Sequence, residues 1–189
     1  GIKSTNPLAV GDKVSFAIEP KKDTEGIITS IETRQNYIVR KSVNLSKQTH
    51  IIAANIDQVF LMITLKTPQT FPAFIDRFLL TAKAYEINVV LLFNKIDIYN
   101  KVELRAMRDL KGVYQKIGYD CHEAVATDSR TLDIIDSKIK GKVSMFCGHS
   151  GVGKSTLVNA LSPGLDLKTG RVSKQNQQGQ HTTTFAEMF

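Results

Sequence analysis

The stretch Gly148 to Ser155, GHSGVGKS, constrains this chain more than any other part of it. It fits G-x-x-x-x-G-K-[ST], a loop whose glycines turn the backbone so that successive N–H groups point inward at a phosphate. The motif needs a strand before it and a helix after it, because the helix N-terminus adds its dipole to the amides. KVSMFC supplies the strand and KSTLVNAL the helix. Gly148, Ser150, Gly151, Val152, Gly153, Lys154, Ser155 and Thr156 are therefore the expected phosphate-binding residues. Lys154 is expected to bridge the β- and γ-phosphates, and the Ser155 hydroxyl to ligate Mg²⁺. His149 reads as a variable loop residue rather than a catalytic one, and His50 and His122 as structural.

A second motif ends the apolar run NVVLLF. Asn94-Lys95-Ile96-Asp97 fits N-K-x-D, in which a carboxylate accepts both N1–H and the exocyclic N2–H of guanine. Adenine offers no such donor pair, and a buried acceptor left unpaired costs about 1–3 kcal/mol, so Asp97 selects GTP over ATP. Asn94 is expected to hold neighbouring loops, and Lys95 to lay its stem along the base and sugar. A second base-contacting loop is placed at Ala126 and Thr127, on a looser match. Thr182, Thr183 and Thr184 follow His181 near the end of a long polar stretch. A threonine there is expected to ligate Mg²⁺ and sense the γ-phosphate; Thr183 is the choice, with its two neighbours left open. SPGLD (162–166) follows the phosphate-loop helix and is a decoy for D-x-x-G, which is not found before Phe189. No glutamine stands where a water-positioning residue is expected.

Around these motifs the pattern is α/β. IDQVFLMIT and NVVLLFNK are near-continuous apolar strands of the kind buried on both faces. Between them TFPAFIDRFLLTAKAYE spaces Phe71, Phe74, Ile75, Phe78, Leu79 and Ala82 as one helix face, with Thr70 and Pro72 at its start. A second helix is expected to bury Ala106, Leu110, Val113, Tyr114 and Ile117 and to stop at Gly118. YDCHEAVA, TLDIIDSKI and KVSMFC continue the alternation, which implies a mostly parallel sheet with ligands at the carboxyl ends of its strands. Residues 1–45 differ. GDKVSFAIE alternates Val14, Phe16 and Ile18 with polar neighbours, and GIITSIE and NYIVR add short strands between turns. This segment reads as a partial OB-like β-barrel whose first strands are missing, with residues 46–189 forming the phosphate-loop domain.

Composition narrows the class without naming a function. With 42% hydrophobic and 23% charged residues the chain is ordinary for a globular protein. No apolar run reaches the roughly 18 residues of a membrane span, and no signal peptide is expected at the first residues, which also lack an initiator Met. Two cysteines, Cys121 and Cys147, exclude a disulfide framework and read as small apolar side chains in strands of a cytoplasmic protein. The net charge of +7 favours a polyanionic partner. Lys13, Lys21, Lys22, Arg34, Arg40 and Lys41 are the residues expected to touch phosphates there.

The order of the motifs is inverted: the guanine motif precedes the phosphate loop, whereas an ordinary GTP-binding domain runs the other way. Cutting the domain before the guanine-motif strand and joining its old ends yields guanine motif, second base loop, phosphate loop, then switch threonines, as here. IAANIDQVFLM, FNKID, GHSGVGKSTLVNAL and QGQHTTTFAEMF, in this order after a small β-barrel, resemble the ribosome small-subunit-dependent GTPase A family of circularly permuted GTPases. The resemblance implies a circularly permuted P-loop GTPase domain after an OB-fold. Its function would be GTP binding and hydrolysis in late maturation of the small ribosomal subunit, with hydrolysis stimulated by the subunit. GTP or GDP and Mg²⁺ are the implied cofactors, with Zn²⁺ only in a C-terminal domain outside this chain. The implied partners are the small ribosomal subunit and its rRNA, with no membrane and no DNA, for a monomer in the cytoplasm. Two alternatives stand beside it: a permuted GTPase of large-subunit assembly, which lacks the barrel, and an RNA-binding module with a vestigial GTPase fold.

Overall fold

The computed structural model describes residues 8–18, 25–41, 49–167 and 186–189. The chain divides into two compact units, Gly1–Ile56 with Phe185–Phe189, and Asp57–Thr184.

In the first unit β1 (Val14–Ile18) pairs antiparallel with β2 (Gly26–Ile31), and β3 (Tyr37–Lys41) with β4 (Thr49–Ala54). Val10 bridges to Ala53. The sequence reading ended the barrel segment at residue 45. The structure carries the β-unit on through β4, because THIIAA pairs residue for residue with YIVRK across a bulge. The small core of this unit is Ile38, Ile51, Ala53, Ala54 and Ile56. Asn36 closes it from both directions, accepting from Ile56 N–H and donating to Ile56 C=O, each at 2.8 Å. The period-two pattern of β1 and β2 forms strands as expected but does not bury them. Phe16, Ile18 and Ile27 are each 63% exposed, since a two-stranded ribbon has no second layer among the described residues.

One of the expected phosphate contacts is corrected here. The Arg34 guanidinium forks onto Asp12, with Nε to Oδ1 at 2.6 Å and Nη2 to Oδ2 at 2.7 Å. The Asp12 side chain is 1% exposed and also accepts from Ala9 N–H, so Arg34 neutralises a buried carboxylate instead of facing a polyanion. That pairing with Arg34 holds the Asp12 carboxyl below its ordinary range. Lys13 is exposed. Lys21 and Lys22, and the side chains of Arg40 and Lys41, lie outside what is described.

The second unit is a four-stranded, all-parallel sheet in the order β7-β6-β5-β8. It runs β5 (Gln58–Ile63), α1 (Pro72–Ala84), β6 (Asn88–Phe93), a 3₁₀ turn (Ile96–Ile98), α2 (Lys101–Lys116), β7 (Asp120–Glu123), α3 (Ser129–Ile139), β8 (Ser144–Cys147) and α4 (Lys154–Leu161). All six residues of β5 are buried, so both faces of the sheet are covered. On one face Phe60, Met62, Val90 and Leu92 pack with Ile135 of α3 and Leu157 of α4, and Phe146 stacks on Phe60 at 5.0 Å. At the start of β5, Gln58 Nε2 donates to Lys138 C=O and Ser144 Oγ, which joins α3 and β8 to the sheet.

Two helices differ in detail from expectation. The N-cap of α1 is Phe71, which is exposed, with Pro72 in the first turn; Thr70 is buried, its hydroxyl accepting from Thr64 N–H. In α2 the buried residues are Met107 and Tyr114, whereas Ala106, Val113 and Ile117 face solvent. Leu110 is half-buried between Met107 and Tyr114, so of the expected face Leu110 and Tyr114 hold and Met107 takes the place of Ala106. This helix lies along the edge strand β7 and needs only a narrow apolar face.

We expect Arg34→Met to destabilise the first unit by about 2 kcal/mol, below the roughly 3–5 kcal/mol of a fully buried pair because the arginine keeps a fifth of its side chain in solvent. Urea unfolding followed by circular dichroism measures it, and an unchanged transition refutes the pairing.

Candidate functional site

The phosphate loop leaves β8 at Cys147 and enters α4 at Lys154. Its conformation depends on glycine at two points. Gly148 has φ +143°, and a Cβ there would meet Met62 C=O at 2.6 Å; Gly153 has φ +105°, and a Cβ there would meet Asn94 Nδ2 at 2.5 Å. Gly153 is also the N-cap of α4 and offers no side-chain acceptor, which leaves the first-turn amides of the helix for an anion.

The base motif closes on this loop from the neighbouring strands. Asn94 is 1% exposed; its Nδ2 donates to Val152 C=O at 2.8 Å, and its N–H to Ile63 C=O at the end of β5. Its Oδ1 is buried with no hydrogen-bond partner among the described residues. Lys95 takes the left-handed conformation, φ 63°, and its Nζ donates to Gly151 C=O and Thr67 C=O, each at 2.7 Å. Burial lowers its pKa, with Asp97 opposing that shift. Asp97 is exposed on the 3₁₀ turn.

The second base loop lies beside the first. Ala124 N–H donates to Phe93 C=O and Ala124 C=O accepts from Ile96 N–H, so the segment after β7 is laced to the base motif. The Ala126 side chain is buried in the core cluster and leaves its backbone for contacts; Thr127 is exposed. Asp128 caps α3 through Thr131 N–H, and Val125 N–H donates to Thr131 Oγ1. Thr182, Thr183 and Thr184, with His181, lie outside the described residues.

Charge at the loop is set by burial. The Lys154 ammonium donates to Gly148 C=O at 3.0 Å and to His149 C=O at 2.9 Å. Burial lowers its pKa, against a smaller opposing effect of Cys147. The Cys147 thiol is pushed up to about 12 by the same burial and stays neutral, a small apolar residue at the strand end. His149 packs its ring on Phe74 of α1 at 4.1 Å. Burial first, and then Lys154, keeps that imidazole below its usual pKa and favours the neutral form, which accords with a packing role.

These residues suit a purine nucleotide with its metal. The glycine cradle and the uncapped helix start leave backbone amides for phosphates, and Ser155, in the first turn of α4, could supply a hydroxyl to Mg²⁺. A buried amide oxygen without a partner and an exposed carboxylate stand at the base end. Sequence reasoning missed Thr67, whose carbonyl anchors Lys95 from the loop after β5. The only sequence signal was the Thr67-Pro68 turn directly behind a buried strand.

Comparison with known proteins follows the same lines. The model of the RsgA GTPase family matches residues 31–189. The chain is 58% identical to the small ribosomal subunit biogenesis GTPase RsgA of Christiangramia forsetii, covering all of this chain and 60% of that protein. It is 57% identical to the protein of the same name from Flavobacterium johnsoniae, over all of this chain and 58% of the relative. The chain thus spans less than two thirds of the length of these curated relatives. Among solved structures, YjeQ from Thermotoga maritima superposes with a TM-score of 0.67 at 34% identity, covering 91% of this chain and 58% of that one. YloQ, described as a circularly permuted GTPase, superposes at 0.60 with 30% identity, over 85% of this chain and 52% of its own. The inverted motif order is therefore a circular permutation of the P-loop GTPase fold, and the chain belongs to the RsgA GTPase family.

Proposed function

We propose that this chain binds and hydrolyses GTP as the switch of a protein that acts in late maturation of the small ribosomal subunit. The observation that carries the nucleotide part is the hydrogen bond from Asn94 Nδ2 to Val152 C=O, which joins a guanine-reading turn to a phosphate loop. The names of the relatives support the ribosomal part.

In this reading Gly148, Ser150, Gly151, Val152, Gly153 and Thr156 present backbone amides to the phosphates, and Ala126 and Thr127 border the base. Lys154 engages the β- and γ-phosphates. An ammonium carries three donors, and two now rest on the carbonyls of Gly148 and His149, so phosphate binding exchanges neutral acceptors for charged ones. Ser155 and Thr183 would hold Mg²⁺, which when bound neutralises charge between the phosphates. Asp97 reads guanine by accepting N1–H and N2–H together. The partners are the small ribosomal subunit and its rRNA, the chain acting as a monomer in the cytoplasm; no described helix is long and apolar enough to cross a membrane.

Three outcomes follow from this arrangement. With Mg²⁺ the chain is expected to bind GDP about 10- to 100-fold more tightly than ADP, since ADP leaves Asp97 unpaired. Asp97→Asn should reduce that affinity and raise the affinity for xanthosine diphosphate, whose 2-oxo group accepts from an amide. Equal binding of guanine and adenine nucleotides in calorimetry removes the assignment. Lys154→Ala should lower nucleotide binding or turnover by about 100-fold or more while leaving the circular-dichroism melt in place. Sedimentation of the full-length protein with separated ribosomal subunits in a GTP analogue should place it with the small subunit; association with the large subunit refutes that partner.

A further inference from the structure

Tyr99 stands between the base motif and α2, and nothing above gives it a role. It is 7% exposed and follows the 3₁₀ turn. Its hydroxyl accepts from Leu65 N–H at 2.8 Å and donates to Asn94 C=O at 3.0 Å. These groups belong to different loops, one following β5 and the other following β6. The N–H of Asn94 goes to Ile63 and its Nδ2 to Val152, so the phenol completes the bonding of its main chain through the carbonyl.

The next residue explains why that carbonyl needs holding. Lys95 is left-handed at φ 63°, a conformation that a residue with a Cβ keeps only where its surroundings over-determine it. The Lys95 ammonium grips Thr67 and Gly151 from one side, and the phenol grips the preceding peptide from the other. The loop after β5 is itself rigid: Thr64 N–H donates to Thr70 Oγ1, and Thr70 N–H to Thr64 C=O. From the α2 side, Lys66 pairs with both Glu103 oxygens, at 2.8 and 2.6 Å, and lies 5.8 Å from the centre of the Tyr99 ring. Glu103 also accepts from Asn100 N–H in the capping box of α2. Burial, with smaller effects of the surrounding groups, holds the phenol above its usual pKa, so it keeps the proton that it donates.

We propose that Tyr99 is a positioning residue for base selection: its hydroxyl, shared between Leu65 N–H and Asn94 C=O, fixes the turn from which Asp97 meets the guanine edge. This role rests on the guanine reading proposed above. Phenylalanine would keep the ring and remove both hydrogen bonds, leaving the turn free to tilt and Asp97 off its two donors.

The test compares GDP with inosine diphosphate, which keeps N1–H and lacks the 2-amino group, on the full chain and its Tyr99→Phe variant by calorimetry. The wild type is expected to prefer GDP by about tenfold or more, and the variant to lose most of that preference, weakening GDP, which gives Asp97 two donors, more than inosine diphosphate, which gives it one. A variant that weakens both nucleotides in parallel, or keeps the wild-type ratio, overturns the positioning role. A wild type without preference for GDP overturns the guanine reading itself, and the role with it. Should Tyr99→Phe fail to fold, amide hydrogen exchange on the wild type decides: the Leu65 amide should gain protection with GDP alongside residues 95–97, and an unchanged rate refutes the clamp.

Discussion

The hydrogen bond from the Asn94 side chain to Val152 C=O is the joint on which the site depends. It connects two loops 58 residues apart in the chain and puts the amide against Gly153, where a Cβ would come within 2.5 Å. Three requirements meet there. The asparagine must be buried, the residue facing it must lack a side chain, and both loops must leave the sheet at the same end. A buried amide donor without its acceptor costs about 1–3 kcal/mol, so the joint disfavours any arrangement in which the loops part. Lys95 makes the same connection a second time through Gly151 C=O, and extends it to the loop after β5. The phosphate loop is thus gripped by protein groups of the base motif alone, as preorganised binding requires.

Much of this was legible in the residues, for physical reasons that can be named. The two motifs were readable because each demands a chemistry that few residues supply: glycine at left-handed positions, an ammonium, and a carboxylate at the end of a buried strand. The strands β5 and β6 were readable because strands buried on both faces leave an unbroken apolar run. The α2 face was misdrawn because Val113 and Ile117 are apolar and exposed, while the core contact falls to Met107 and the polar-tipped Tyr114. A helix against an edge strand buries too little to impose a clean pattern. The β4 strand was passed over because a short apolar run at the end of a basic segment has no periodicity of its own, and its register comes from pairing with β3. Arg34 looked like a surface cation because nothing in the sequence places Asp12, 22 residues away, beside it.

The same limit applied at the site. Thr67 contributes a backbone carbonyl, and a carbonyl carries no residue identity to recognise. Ala126 has a side chain in the core and only its main chain toward the loop, so its type records packing and not contact. At both positions it is the backbone that acts, and only the fold reports it.

The strand that carries no motif, β5, is the one that holds both motif-bearing strands together. It lies between β6 and β8, pairing with each in parallel register. Ile63 C=O takes the Asn94 N–H, and Met62 C=O lies against Gly148. Neighbouring strands are about 4.8 Å apart, so β5 sets the ends of β6 and β8 about 10 Å from each other, a gap that the Asn94 and Lys95 side chains span to reach the phosphate loop. Circular permutation alters which strand the chain visits first but leaves this spacing alone, because β6-β5-β8 adjacency is a property of the sheet and not of chain order. An inverted motif order therefore signals a conserved geometry reached by another path, and the buried run QVFLMI between the motifs is what makes that path work.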